Sequence, residues 1–239
     1  MTKRNYQIPI TLLMLSILIV ACGGGGNSNS TNEPTSITYK NLTYKTLQSP
    51  LTGKIWLDRN LGATQACENF DDVLCFGNYY QWGRDTDGHE KSDSLTQSMQ
   101  INDLNTSNSK FVIGYTNWSN DDINGTRRQD YWAHIDGSSV CPKDFRIPTF
   151  NEILEEFPDQ NTSNHAVFEN FMKLPSAGLR WPYGGQVIQM ESQALIWSND
   201  IRQTNNALQA KSFIFSELAG RQGSIGNTSY GIPLRCIKN

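Results

Sequence analysis

Five cysteines carry the most definite chemistry in this 239-residue chain: Cys22, Cys67, Cys75, Cys141 and Cys236. None stands in a C-x-x-C pair, and His89, His134 and His165 are remote in sequence from them and from one another, which is not the spacing of a zinc site. In an oxidising compartment the four cysteines after Cys22 read as a disulfide framework, with three connectivities open. Cys67 and Cys75 bracket a short polar loop, while Cys141 and Cys236 each adjoin a core-like strand. The expected pairs are therefore Cys67–Cys75 and Cys141–Cys236. They contribute about 2.6 and about 4.7 kcal/mol if each acts only by restricting the unfolded chain.

Carboxylates and aromatic rings supply the remaining candidates. Asp85-Thr-Asp87-Gly88-His89-Glu90 sets alternating carboxylates before a glycine, as a calcium loop does, but lacks the other ligand positions and the terminal glutamate of an EF-hand. Asp85 and Asp87 are thus calcium candidates, and a solvated acidic loop is the plainer reading. Asp58-Arg59-Asn60 directly follows a strand-like run, where a salt bridge or turn network is plainer than catalysis. Tyr79, Tyr80, Trp82, Trp118, Tyr131, Trp132, Trp181 and Tyr183 could include rings that stack on sugars. Most should be core, and Trp181 and Tyr183, beside a hairpin turn, are best placed to bind a ligand. No nucleophile elbow, H-E-x-x-H, phosphate loop or dinucleotide fingerprint is present, so no catalytic residue is assigned. A carboxylate-pair glycosidase leaves no local signature and stays open.

Lys3 and Arg4 precede an apolar run from Ile8 to Ala21. It is shorter than the about 20 residues a bilayer core needs and has the length of a signal-peptide core. It ends Leu18-Ile-Val-Ala-Cys22, which resembles the lipobox of bacterial lipoproteins. That resemblance implies cleavage before Cys22, lipid on its thiol, and stable anchoring by more than one acyl chain. Residues 1–21 are expected to be a signal peptide. Residues 22–36, four glycines followed by Asn, Ser and Thr, are expected to be a lipidated flexible tether reaching roughly 20 Å. Gly23 in place of Asp favours the outer membrane by analogy with enterobacterial sorting. Loss of residues 1–21 removes Lys3 and Arg4 and no acid, moving the net charge from −3 to −5. With no basic run or helical Arg/Lys stripe, nucleic acid is excluded as a partner.

These residues must be positioned by the domain over 37–239. Residues 37–58 alternate as strands around a hairpin connection at Ser49–Gly53. Residues 78–83 are aromatic enough to be core, and Arg84 to about Ser109 is polar and aperiodic, the mark of a functional or mobile loop. Two helices are expected. The first, over 149–157, opens on a Thr149-x-x-Glu152 capping box and carries Ile153, Leu154 and Phe157 as an apolar stripe. The second, from about Ser163 to Lys173, lines Val167, Phe168, Phe171 and Met172 on one side and stops before Pro175. Short strands follow at 177–181, 186–190, 194–198, 207–216 and 232–237, with Gly220, Gly223, Gly226 and Gly231 read as loop glycines. The class is α+β, with short antiparallel sheets in a loop-rich, doubly disulfide-bridged domain.

Read in order, Lys54-Ile-Trp-Leu-Asp-Arg-Asn-Leu-Gly-Ala63, Gly77-Asn-Tyr-Tyr-Gln-Trp-Gly83, Cys141-Pro-Lys-Asp-Phe-Arg-Ile-Pro-Thr149 with Glu152, Leu174-Pro-Ser-Ala-Gly-Leu-Arg180, Ile196-Trp-Ser198 and Leu234-Arg-Cys-Ile237 resemble the Fibrobacter succinogenes major paralogous domain family. The resemblance covers roughly residues 40–239, and its Cys-Pro and final Arg-Cys segments are the more specific parts. It implies a C-type-lectin-like fold, distantly related to the formylglycine-generating enzyme superfamily. It supplies a fold more than a function. Trp197-Ser198-Asn199-Asp200 is similar to the Trp-Asn-Asp stretch of calcium-dependent lectins, which makes Asn199 and Asp200 further calcium or ligand candidates. A serine intervenes, however, and no Glu-Pro-Asn or Gln-Pro-Asp partner motif is present. Formylglycine-generating enzymes use two redox cysteines late in the chain; here only Cys236 lies there, which argues against carrying over oxidase activity. The expectation is a non-catalytic, lipid-anchored envelope module that binds carbohydrate or protein through loops between Arg84 and Trp132 and near 181–200. A structural assembly role or an envelope enzyme are the alternatives.

Overall fold

The computed structural model describes residues 35–204 and 207–239. The expected signal peptide, Cys22 and the tether as far as residue 34 lie outside the described residues, and Ser36, assigned to the tether, opens the first strand. Five strands form one antiparallel sheet in the order β1 (Ser36–Tyr39), β2 (Leu42–Gln48), β3 (Ile55–Leu57), β14 (Ile237–Lys238) and β7 (Phe145–Arg146). The last strand thus lies between two earlier ones. Cys236 beside it is bridged to Cys141 ahead of β7, and Cys67 is bridged to Cys75, as the spacing predicts. A three-stranded meander contains β10 (Gln193–Gln203), β11 (Leu208–Ser216) and β12 (Gly220–Asn227). A third sheet orders β4 (Tyr80–Gln81), β13 (Gly231–Ile232), β8 (Leu179–Arg180) and β9 (Val187–Ile188). The pair β5 (Thr96–Gln97) and β6 (Phe111–Val112) is parallel, an exception to the expected antiparallel pattern.

Side chains alternate along a strand, so neighbours in β10 enter different cores. Leu195 and Trp197 pack with Trp82, Trp132 and Leu234, whereas Ala194 and Ile196 pack with Trp56, Ile153, Phe213 and Phe215. Trp56 and Leu57 divide in the same way, as do Ile237 and Cys236. A strand buried on both faces reads as a continuous apolar run, which Ala194-Leu-Ile-Trp197 is.

Three α-helices are present among the described residues, one more than expected. α2 (Phe150–Glu156) and α3 (Asn164–Glu169) are the two anticipated, the latter ending at an extended Asn170 rather than at Lys173. Thr149 caps α2 with both halves of its capping box, and Glu152 also receives two Arg146 hydrogen bonds of 2.8 Å. The far end of α2 is pinned to the 49–53 turn, because Ser49 Oγ, Thr52 Oγ1 and Trp56 Nε1 all donate to the buried Glu156 carboxylate. The unexpected helix is α1 (Thr126–Ala133). Its buried stripe is Arg128 and Trp132, so a guanidinium stands where an apolar residue would signal a helix. Its N-cap is Gly125 at φ 76°, with no side-chain cap to mark the start. β12 also departs from expectation, since its glycines lie in a strand and not a loop. A Cβ at Gly223 would meet the Phe150 ring at 2.6 Å, and one at Gly226 the Tyr230 ring at 2.8 Å, so close aromatic packing requires them. The expected strand over 232–237 is divided between β13 and β14. No helix among the described residues is long and apolar enough to cross a membrane.

Buried side-chain donors join these sheets to the loops. Trp82, Trp132 and Trp197 donate their indole N–H groups to the carbonyls of Ser198, Arg84 and Tyr80 at 3.0, 3.2 and 2.9 Å. Arg235, fully buried, reaches the carbonyls of Leu57 and Met172 and the Asn60 amide oxygen. Burial holds its pKa down to about 9. Arg59 binds both Asp58 oxygens and the carbonyls of Thr43 and Ala63, so Asp58-Arg59-Asn60 is a structural network.

The two disulfides close loops of very different length. Replacing Cys141 and Cys236 together by Ala is expected to lower the free energy of unfolding by about 4.7 kcal/mol, and replacing Cys67 and Cys75 by about 2.6 kcal/mol. Chemical denaturation of each double variant measures this, and a larger loss from the short loop would contradict the ranking.

Candidate functional site

Between β4 and the end of α1 the chain encloses a cleft of about 380 Å³. Its buried floor includes Arg84, Trp118 and Arg128, Tyr131 forms part of a wall, and Asn105 and Arg127 are exposed at the rim. Both floor guanidiniums lie against the Trp118 ring, with Cζ 5.3 Å (Arg84) and 4.9 Å (Arg128) from its centroid. The indole N–H of Trp118 donates to the carbonyl of Trp82 at 2.7 Å. Arg84 binds Asp87 Oδ2 at 3.0 Å, Gln81 Oε1 at 2.7 Å and the carbonyls of Lys110 and Asn108. Arg128 binds Asp122 Oδ2 at 3.1 Å, Asn117 Oδ1 at 3.0 Å and the Asp122 carbonyl at 2.7 Å. Two side chains thus tie five loop positions together beneath the cleft. Burial lowers both guanidinium pKa values, Arg128 to about 10, against the pull of Asp87 and Asp122, so both stay charged at neutral pH. Burial, and then the nearby Asp85 carboxylate, raise the Tyr131 hydroxyl well above the ordinary phenol range and keep it a neutral donor.

Beside this floor, Asp87, His89 and Glu90 form the only group of three or more His, Cys, Asp or Glu ligand atoms within metal-binding reach among the described residues. Their hydrogen bonds already engage the imidazole. His89 Nε2 accepts the Gln81 N–H at 3.1 Å, which leaves Nδ1 carrying the proton toward Asp87 Oδ1 at 2.6 Å. A neutral imidazole so engaged has no free lone pair for a metal.

The expected site residues are placed apart. Tyr183 is exposed. Trp181 is half-buried and stacked on Tyr230 at 5.6 Å, so this aromatic pair is only partly available. Asn199 is buried and exchanges two hydrogen bonds with Gln129 of α1, while Asp200 Oδ2 accepts the Phe150 N–H at the start of α2. Both therefore fasten helices to β10. Asp85 faces Lys40 at 3.6 Å, and both Asp87 oxygens are engaged by His89, Arg84 and Asn108. The four calcium candidates belong to separate partner sets and do not make the six to eight oxygens a calcium shell requires. The other large rings, Tyr79, Tyr80, Trp82 and Trp132, are buried as expected. Sequence reasoning missed Arg84, Arg127 and Arg128; the only local signal is the Arg pair following Asn124-Gly125.

No protein-family model, curated protein or solved structure matches the chain.

Burial first, then Arg84, lowers the His89 pKa from 6.5 to about 4 despite the Asp87 hydrogen bond. The unfolded chain therefore binds a proton that the folded chain refuses. The stability that neutral His89 contributes is complete above about pH 6.5 and declines as pH falls toward 4. The thermal midpoint of the wild type is expected to drop across that window, and His89→Gln is expected to flatten the drop. An unchanged slope in the variant would contradict the assignment.

Proposed function

We propose that this chain is a lipid-anchored protein of the bacterial cell envelope, held by Cys22, whose domain is a non-catalytic binding module of C-type-lectin-like type. Carbohydrate is the favoured ligand class, with a protein surface as the alternative. The sequence resemblance to the Fibrobacter succinogenes major paralogous domain family supports the fold assignment, and the lipobox supports the anchor and an outer-membrane address. One observation carries the binding reading: the cleft is built from loops whose carbonyls are held by buried arginines, and it sets the half-buried Tyr131 ring beside the exposed Asn105 amide and Arg127 guanidinium. Sugar recognition combines such apolar ring surface with directional polar groups. The Cys141–Cys236 bridge supports a binding role over a thiol oxidase, since neither sulfur is a free thiol.

The test is the full-length protein, purified in detergent, on a broad glycan and envelope-protein array with calcium and with EDTA. Binding to at least one glycan class is expected in both buffers, weakened at least tenfold by Arg127→Ala with an unchanged melting temperature. Binding lost in EDTA would contradict the metal-free reading, and no binding at all would overturn the proposal. Labelling with radioactive palmitate is expected for the wild type and absent in Cys22→Ala; equal labelling would remove the anchor.

A further inference from the structure

A second cavity of about 260 Å³ adjoins the first, and Thr86 lines both. Tyr39 and Leu42 are its half-buried apolar lining, Tyr44 and Leu61 stand buried behind them, and Asn78, Tyr80, Thr86 and Glu90 supply polar groups. Glu90 is the unusual member. Its side chain is 2% exposed, and Oε2 accepts the Gly88 N–H at 2.8 Å. The Glu90 backbone N–H also reaches the carboxylate, and Oε1 receives no hydrogen bond from any other described residue. Its only ion-pair contact among the described residues is the neutral His89 Nδ1 at 3.5 Å. A buried carboxyl group without a cationic partner is costly unless other donors reach it. Beside it the Tyr80 hydroxyl lies 3.3 Å from Thr86 Oγ1. The cavity therefore offers a strong acceptor, hydroxyls that both donate and accept, and an amide, all next to apolar wall.

We infer that this cavity is a second binding subsite, for a neutral monosaccharide unit whose vicinal hydroxyls donate to the Glu90 carboxylate while Asn78, Tyr80 and Thr86 bind the remaining oxygens. The inference rests on the carbohydrate reading of the adjoining cleft and deepens it. A neutral polyol is favoured over an ammonium ligand because Lys40 and Lys91 also line the cavity and would repel a cation. Lys40 pairs with Asp85, which lines the first cleft, so the rims of the two cavities meet at that ion pair. A glycan of several units can occupy both.

Titration of the full-length protein with glucose, mannose, galactose, rhamnose and N-acetylglucosamine, followed calorimetrically, tests this. At least one sugar is expected to bind, with Glu90→Gln weakening it at least tenfold and Thr86→Val about threefold. Thr86→Val keeps the test decisive if Glu90→Gln does not fold, since it preserves the side chain's shape and removes one hydroxyl and its 3.3 Å contact with Tyr80. Unchanged sugar affinity in a folded Glu90→Gln variant, or in Thr86→Val, would overturn the subsite. Array binding without any monosaccharide binding would also overturn it while leaving the first cleft intact. Failure on both array and titration would remove the carbohydrate reading itself.

Discussion

A buried carbonyl or N–H that meets no partner costs roughly 1–3 kcal/mol, and a chain this rich in loops must find many such partners outside helices and sheets. Here the partners are long side chains with several donors. Arg180 shows the principle most fully. It is 2% exposed and hydrogen-bonds the carbonyls of Gly185, His89, Lys91 and Ser94 and the Ser94 hydroxyl. No carboxylate pairs with it among the described residues, so its charge is met mainly by carbonyl dipoles and by the Phe111 ring 4.3 Å away. The guanidinium has five donors in a rigid fork, and no apolar residue of similar size could replace them.

The same device shapes both cavities. Arg84 and Arg128 hold the loops beneath the first cleft, and the carbonyls bound by Arg180 fix the 89–94 segment that begins with His89 and Glu90 beside the second. Ligand-facing groups can then sit on irregular backbone without the looseness loops usually have. His89 belongs to this frame. Its two ring nitrogens bind Gln81 and Asp87, so the ring joins β4 to the acidic loop.

Much of the frame is legible in the residues, and the reasons for the rest are physical. The capping box of Thr149 and Glu152, the 49–53 turn, the hairpin turn between the strands expected at 177–181 and 186–190, and both disulfide pairs rest on local chemistry or spacing, and each is where the sequence predicts it. The helix over 126–133 escapes because its buried stripe contains an arginine whose partners, Asn117 and Asp122, precede the helix in irregular chain. The strand over 220–227 escapes because its glycines answer to Phe150 and Tyr230, which come from elsewhere in the fold. Asn199 and Asp200 look like ligands in isolation and are fasteners in context, since the groups they bind belong to α1 and α2. The floor of the cleft was hidden for the same reason: a buried arginine and a solvated one are the same letter.

Hydrogen exchange of wild type and Arg180→Met tests most directly whether buried arginines hold the loops. If Arg180 fixes the loop carbonyls, the variant should lose amide protection across 86–97 and 181–188 while β10, β11 and α2 keep theirs. Protection that is unchanged in those loops, or lost evenly across the whole domain, would contradict the account.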